Sequence, residues 1–321
     1  MFRSSLLCAL AGLGCSVAQA DVVQIPSTSG FSGFIMGGVN QLDYATNFFK
    51  GPDGDATHGG LNREPASQSA WRGAFNADLR YTFADSRRQL FLGNLVQDAV
   101  RFDFTQQFGL RQQVGDQGIV ALSYVFNLKP MKTWDNPFDT GRRNETDISS
   151  NGLRLSWDQV AGSGLNAAYT YRHIDVEHER SPDGLDRNGG VHRFDLGWDI
   201  KLSPGQIVTP GVSYTDAKLD GYAARYHVAS LSLGYALMGP QWSLVTNASL
   251  GQRKYAHDNP LYGQRADADE FGINSTFFWH RLLRVDALTG YVSASYNRSD
   301  ADIAFYDAEL RSLSTGVMYR F

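Results

Sequence analysis

Charged side chains recur at every second position in several stretches, with apolar side chains between them. In Trp71–Phe83, Arg72, Asp78 and Arg80 alternate with Trp71, Phe75, Leu79, Tyr81 and Phe83. In Val191–Leu202, Arg193, Asp195, Asp199 and Lys201 oppose Phe194, Leu196, Trp198, Ile200 and Leu202. In Arg101–Arg111, Arg101, Asp103 and Arg111 oppose Phe102, Phe104, Phe108 and Leu110. Arg154, Asp158, Arg172, Arg253 and Arg320 fall on equivalent faces of other segments. Arginine's planar fork pairs bidentately with carboxylates. Such rows therefore suit either a polar conduit whose charges select solutes or a lumen filled by paired charges. The faces named hold 10 basic and 5 acidic residues, which favours anions if a path is open.

Other chemistry is thinly represented. His173, Asp175 and Glu177 share one strand face, followed by His178 and Glu179. Imidazole and carboxylates at period two converge, but this spacing is common to solvated rims, and no metal is expected. Gly51-Pro52-Asp53-Gly54-Asp55 lacks the spacing and distal glutamate of a calcium loop. None of the seven histidines stands in a G-x-S-x-G or H-E-x-x-H context. His280 is expected to face inward near the short-turn end without a nucleophile in reach. No catalytic residue, cofactor or enzymatic activity is expected.

A period of two with runs of ten or more residues identifies the elements that carry these rows. A helix cannot place side chains this way, and soluble sandwich strands are mostly five or six residues long. A membrane-crossing strand takes about 9–11 tilted residues. The last dozen residues show the same pattern, with Leu313, Thr315, Val317, Tyr319 and Phe321 on one face and Ser312, Ser314, Gly316, Met318 and Arg320 on the other. A chain that ends on such a strand, with Tyr319 and Phe321 as its closing aromatics, has the insertion signal expected of a bacterial outer-membrane barrel.

The other end of the chain agrees. Residues 1–20 read as a cleaved secretory leader, with Arg3, an apolar core from Leu6 to Val17, and Ala18-Gln19-Ala20 before Asp21. Both cysteines, Cys8 and Cys15, lie in this leader, which excludes a disulfide framework, a thiolate nucleophile and a cysteine metal site from residues 21–321. Removing Arg3 with the leader leaves 28 Lys+Arg against 33 Asp+Glu, a net charge of −5 that argues against nucleic acid as a partner. Mean hydropathy is −0.31, and no apolar run long enough for a spanning helix follows the leader.

Short and long connections alternate between the strands. Ala84–Arg88, Gly115–Gly118, Ala161–Gly164, Ser203–Gln206, Gly239-Pro240 and Arg284–Asp286 are short. Leu42–Ser69, Met131–Asp147, His178–Gly190, His257–Ala266 and Arg298–Ile303 are long, while Leu95–Ala99 and Leu219–Ala224 are short connections in long-loop places. The expected architecture is all-β, a single antiparallel up-and-down transmembrane barrel over residues 21–321. It has about 14 strands (12–16), short periplasmic turns, longer extracellular loops and both termini in the periplasm. The residues expected to line its lumen are Arg72, Asp78, Arg80, Arg101, Asp103, Arg111, Arg154, Asp158, Arg193, Asp195, Asp199 and Arg320.

The chain resembles an uncharacterised family of proteobacterial outer-membrane proteins known only as a domain of unknown function. The matching segments are Phe31-Ser32-Gly33, Tyr81-Thr82-Phe83, Phe91-Leu92-Gly93, Thr133-Trp134-Asp135-Asn136-Pro137-Phe138, Thr146-Asp147 and Asp186-Arg187-Asn188-Gly189. Arg253-Lys254-Tyr255, Asn259-Pro260-Leu261-Tyr262 and Phe305-Tyr306-Asp307 continue the match in order. This resemblance implies a single barrel and no substrate. The last quarter also resembles the final strands of surface lipoprotein assembly modifiers, through Arg253-x-Tyr255, Asn259 to Gly263 with Arg265 and Asp267, and Asp302 to Asp307. That resemblance implies export of proteins or lipoproteins through a barrel. The chain has no tetratricopeptide repeats ahead of its barrel, unlike many of those proteins.

The expected function is a pore for small polar solutes in the cell outer membrane. The alternatives are a translocator for secreted or surface proteins and a non-conducting barrel acting through its loops. The expected partners are outer-membrane lipid and lipopolysaccharide, the barrel-assembly machinery through the C-terminal strand, and a small-solute or secreted-protein cargo. Trp134-Asp135-Asn136-Pro137-Phe138 lies in a long loop, where Asn-Pro starts a turn and aromatics anchor it over or into the mouth.

Overall fold

The alternating rows form long antiparallel strands. The computed structural model describes residues 24–321 except Pro52, Val100 and Phe102, with only the backbone of Asp103, so the leader lies outside the described residues. The strands are β1 Gly30–Ala45, β2 Ser67–Phe83, β3 Arg88–Asp98, β4 Asp103–Gln113, β5 Ile119–Phe126, β6 Met131–Trp134, β7 Glu145–Asp158 and β8 Leu165–Val176. They continue with β9 Gly189–Trp198, β10 Ile200–Ser203, β11 Gln206–Leu219, β12 Tyr226–Met238, β13 Trp242–Tyr255, β14 Ala268–His280, β15 Leu288–Ala301 and β16 Ala308–Arg320. β6 prolongs β5 along β7, and β10 prolongs β9 along β11, so the described residues make a closed barrel of 14 staves.

Two local features explain the irregularities. The β9–β10 register is continuous across the break, from Gly197↔Gly211 to Ile200↔Val208. Pro210 stands opposite the interruption and has no N–H to give the ladder. Closure comes from β16 pairing with β1, from Phe34↔Arg320 to Ala45↔Glu309, with Gly33 and Phe321 exchanging backbone bonds of 3.1 and 3.2 Å. Gly38 faces Gly316 in this seam, where a Cβ on Gly38 would stand 2.2 Å from the Thr315 carbonyl oxygen and 2.6 Å from the Tyr291 hydroxyl. Only glycine admits the Tyr291 ring there.

The outside of the barrel is apolar. At the short-turn end Tyr81 meets Phe31 and Phe83 edge-on, with ring centroids 4.8 Å apart in each pair, joined around the rim by Trp242, Trp279 and Tyr319. Trp71, Tyr171, Tyr214 and Phe271 are exposed toward the long loops. A water-soluble monomer does not leave so continuous an apolar band uncovered, whereas a bilayer with two aromatic girdles requires it. No described helix is long and apolar enough to cross a membrane, and the crossing elements are strands.

The inside has three levels. At the short-turn end Met36, Ile207, Ala236, Val245, Phe278, Tyr291 and Met318 pack into an apolar floor. At the other end Phe138, Leu185, Ala223, Ala266, Ile303 and Phe305, brought by different loops, pack with Tyr255 at the end of β13 into a cap. A polar cavity lies between.

Candidate functional site

The cavity is about 690 Å³ in volume. One side of its wall is charged, with Asp78 from β2, Arg111 from β4, Arg154 and Asp158 from β7, and Arg193, Asp195 and Asp199 from β9 and its extension. The facing side, from β11 to β15, is built of hydroxyls and amides such as Ser213, Ser232, Asn247, Ser249, Asn274 and Asn297. The described lining holds seven arginines and six carboxylates in all, so the wall is close to electroneutral.

Most of the charges are spoken for. Arg193 donates from Nε to Asp195 at 2.8 Å and from Nη1 to the Gln97 carbonyl at 3.1 Å. Arg154 donates to Thr170 at 2.7 Å and to Asp195 at 3.4 Å. The Arg111 guanidinium lies 4.1 Å over the Phe91 ring. Asp199 accepts from Thr209 at 2.7 Å and from Asn166 at 2.9 Å. Such a wall offers both signs and many neutral donors and acceptors at close quarters, which suits small polar molecules.

The lumen is crossed by the β3–β4 hairpin. β2 and β3 separate above Leu79↔Leu92, while β3 and β4 stay paired to Asp98↔Asp103, so the hairpin leaves the wall and its tip reaches the far side. There Arg101 donates to Asp98 at 3.1 Å and to Glu270 of β14 at 2.8 Å. Arg253 of β13, only 2% exposed, donates to Glu270 at 2.8 Å and to Asp98 at 3.1 Å. Its guanidinium also lies 4.0 Å over the Tyr226 ring. Ala99 of the tip packs on Leu42, Tyr44, Ala70 and Leu310. Two arginines and two carboxylates thus latch the hairpin to the wall.

The cap above is held by aromatic and backbone contacts. Phe138 stacks on Phe305 with centroids 5.3 Å apart, Asn259 donates to the Tyr306 hydroxyl at 2.6 Å, and Tyr262 donates to the Leu61 carbonyl at 2.7 Å. Burial pushes the Tyr262 and Tyr306 phenols up from their ordinary range. Arg143 donates to the carbonyls of Asn47 and Asp55 at 2.8 Å each and lies 4.3 Å over Trp134. Burial lowers the Arg143 pKa to about 10. The Trp134–Phe138 segment therefore folds over the mouth.

The residues expected in the lumen separate by height. Asp78, Arg101, Arg111, Arg154, Asp158, Arg193, Asp195 and Asp199 touch the cavity. Arg80 lies beside it, bonded to both oxygens of Asp78 at 2.5 and 3.2 Å. Arg72 sits higher, donating to Asp53 of the β1–β2 loop at 2.7 Å, and Arg320 is exposed at the short-turn rim. The Asp103 side chain lies outside the described residues, as does Phe102.

Asp98 and Glu270 are the latch carboxylates, and periodicity passed over them. Glu270 follows the alternation of Glu270, Gly272 and Asn274, and Asp98 lies in the short connection that occupies a long-loop place. The expectation for His280 is corrected, because the Ser243 hydroxyl lies 2.7 Å from its Nε2. Strand register explains it, since Ser243 pairs with Phe278 and so shares a face with His280 two residues on. The charge nearest in effect on this imidazole is Arg320 rather than a carboxylate that would orient it as a base. His173 and Asp175 are exposed, Glu179 instead pairs with Arg187 at 2.6 Å, and no three metal-ligating side chains cluster among the described residues.

An apolar outer band, a closed even-stranded sheet and a polar interior define an outer-membrane β-barrel of porin-like fold. Residues 30–320 match the family described as "Protein of unknown function (DUF2860)", and the chain belongs to that family. No curated protein matches it in sequence. Among solved structures it is similar to the TodX monoaromatic hydrocarbon channel, with TM-score 0.50 and 9% identity over 91% of this chain and 90% of that one. An anion-selective porin from Comamonas acidovorans gives 0.43 and 11% over 92% and 99%, and the DcaP channel of Acinetobacter baumannii 0.40 and 11% over 91% and 97%. At these identities the likeness is one of fold.

Proposed function

We propose that this chain is an outer-membrane channel for small polar solutes, which occupy the lumen cavity on their way across. The observation that carries this is the cavity itself, with arginines and carboxylates on one wall and hydroxyls and amides on the other. The long loops and cap face outward, and both termini lie in the periplasm, as the even stave number and the C-terminal strand ending in Tyr319 and Phe321 favour. The leader at residues 1–20 directs export. The barrel-assembly machinery inserts the protein into lipid and lipopolysaccharide through the terminal strand.

Liposome swelling tests the proposal. Folded, leaderless protein is expected to admit small zwitterions and sugars in preference to larger ones. Equal exclusion of every solute by folded protein would refute it. Export of a polypeptide, which the resemblance to assembly modifiers implies, needs a lumen free of both cap and hairpin. The residues carrying that resemblance, Arg253, Tyr255, Asn259, Tyr262, Phe305 and Tyr306, are used in building the latch and cap instead.

A further inference from the structure

One seam of the closed barrel is paired over only part of its height. β2 pairs with β1 over its whole length, from Gly30↔Thr82 to Ala45↔Ser67. On its other side it pairs with β3 only from Phe83↔Arg88 to Leu79↔Leu92, because β3 then turns into the lumen with β4. β5, the stave beyond the hairpin, ends its pairing with β4 at Gln106↔Phe126. Among the described residues the gap closes again only at Phe49↔Thr133 and at the 3.2 Å bond from Lys50 N to the Lys132 carbonyl. Between these closures the β2 edge from Ser67 to Asp78 has no strand partner on this side among the described residues.

The level of this edge matters. Trp71, Phe75 and Leu79 point outward from it and are 65%, 51% and 36% exposed, so part of the seam lies within the apolar band. Unpaired backbone amides are not tolerated against hydrocarbon, only where they are covered by protein or line a polar opening. The cavity extends to this place, and its lining changes character there. Phe49, Leu95, Val96, Phe104 and Met131 make the wall near the seam apolar, in contrast to the serines and asparagines opposite. Asn94 and Asn76, joined at 2.9 Å, stand at the boundary between the two kinds of wall.

We propose that this seam is a lateral portal between the lumen cavity and the leaflet on the long-loop side, and that it passes a small amphipathic molecule. The apolar body of such a molecule crosses against Leu95, Val96 and Met131. Its hydrogen-bonding end is received by the open β2 edge and the asparagine pair, then by the polar cavity. The cap closes the end of the barrel, and the seam is a way around it. This inference rests on the cavity's being a solute site but not on ionic conduction.

The test places a photoreactive benzoylphenylalanine singly at Val96, Met131, Phe75 and Ser232 in folded protein reconstituted in phosphatidylcholine liposomes. Phe75 faces lipid and Ser232 lines the cavity away from the seam. After irradiation, lipid adducts are expected at Val96 and Met131 with yields comparable to Phe75, and none at Ser232. Adducts at Phe75 alone would overturn the portal. So would equal adducts at Ser232, which would mean that lipid floods the lumen without selection. Conductance of the same preparations separates the two proposals. Ion flow without lipid adducts at the seam leaves the channel standing and removes the portal, whereas adducts without ion flow support the portal, which does not depend on ionic conduction.

Discussion

Asp98 at the tip of the inturned hairpin and Arg253 on the opposite wall are joined at 3.1 Å, so one ion pair ties two halves of the lumen together. Glu270 and Arg101 complete the group. Removing Arg253 leaves Asp98 and Glu270 to share Arg101, one negative charge in excess in a largely buried group, at a cost of about 3 kcal/mol. Arg253→Met is therefore expected to loosen the hairpin, which Arg101 still holds to Glu270, to raise single-channel conductance and to lower the thermal midpoint. Conductance equal to that of the unmodified protein, with the fold intact, would show that the hairpin does not limit flow.

Arg193 lies on the cavity wall and contacts both Asp195 and the hairpin. Arg193→Glu changes the local charge by two units in a lumen partly screened by water. A shift toward cations on the order of twofold in permeability ratio is expected. Arg80→Glu, which acts beside Asp78, is expected to shift it in the same direction. Reversal potentials in a salt gradient read both, and unchanged values would place these arginines off the ion path.

Strand existence, the even stave number and the side-chain faces of Trp71–Phe83 were legible in the sequence because lipid and lumen impose a strict period of two, but Phe104, expected to oppose the lumen charges, is buried against the cavity because its hairpin turns inward. Tyr319 and Phe321, Trp71–Phe83 and the short turns follow directly from it. The apolar floor was not legible. Met36, Val245 and Phe278 fill inward positions that a period-two reading assigns to a polar lumen, and only the three-dimensional taper brings them together. The latch was half legible. Arg101 and Arg253 stood on the right faces, but their pairing needs a hairpin to leave the wall, which alternation along β3 and β4 does not record. Ser243 beside His280 likewise depends on register between strands, not on spacing within one.

Phe305 is fully buried in the cap, touching Phe48, Phe138 and the His58 ring. Phe305→Ala is expected to cost about 3–5 kcal/mol of cap stability. The barrel itself should persist, because its ladders do not pass through this residue. Faster proteolysis within the long loops, with strand content unchanged by circular dichroism, is the expected result.

His58 makes the cap sensitive to acid. Its Nδ1 accepts the Gly60 N–H at 3.0 Å, and burial, followed by the charge of Arg143, lowers its pKa below the ordinary 6.5, with Asp139 opposing. A depressed histidine binds fewer protons folded than unfolded, so the stability it permits is full above 6.5 and declines as the pH falls through that value. Loop proteolysis is expected to quicken as the pH falls below about 6.5. His58→Gln should remove that component of the pH dependence, and an identical profile in the variant would assign it elsewhere.

A channel of this kind needs a solute path through the barrel despite its floor, hairpin and cap. Single-channel recording of folded, leaderless protein in a planar bilayer with symmetric salt tests it most directly. Small, discrete ohmic steps are expected, growing larger in Arg253→Met. A silent membrane from protein shown to be folded and inserted, with the latch variant equally silent, would contradict the account and leave a packed barrel that works through its loops.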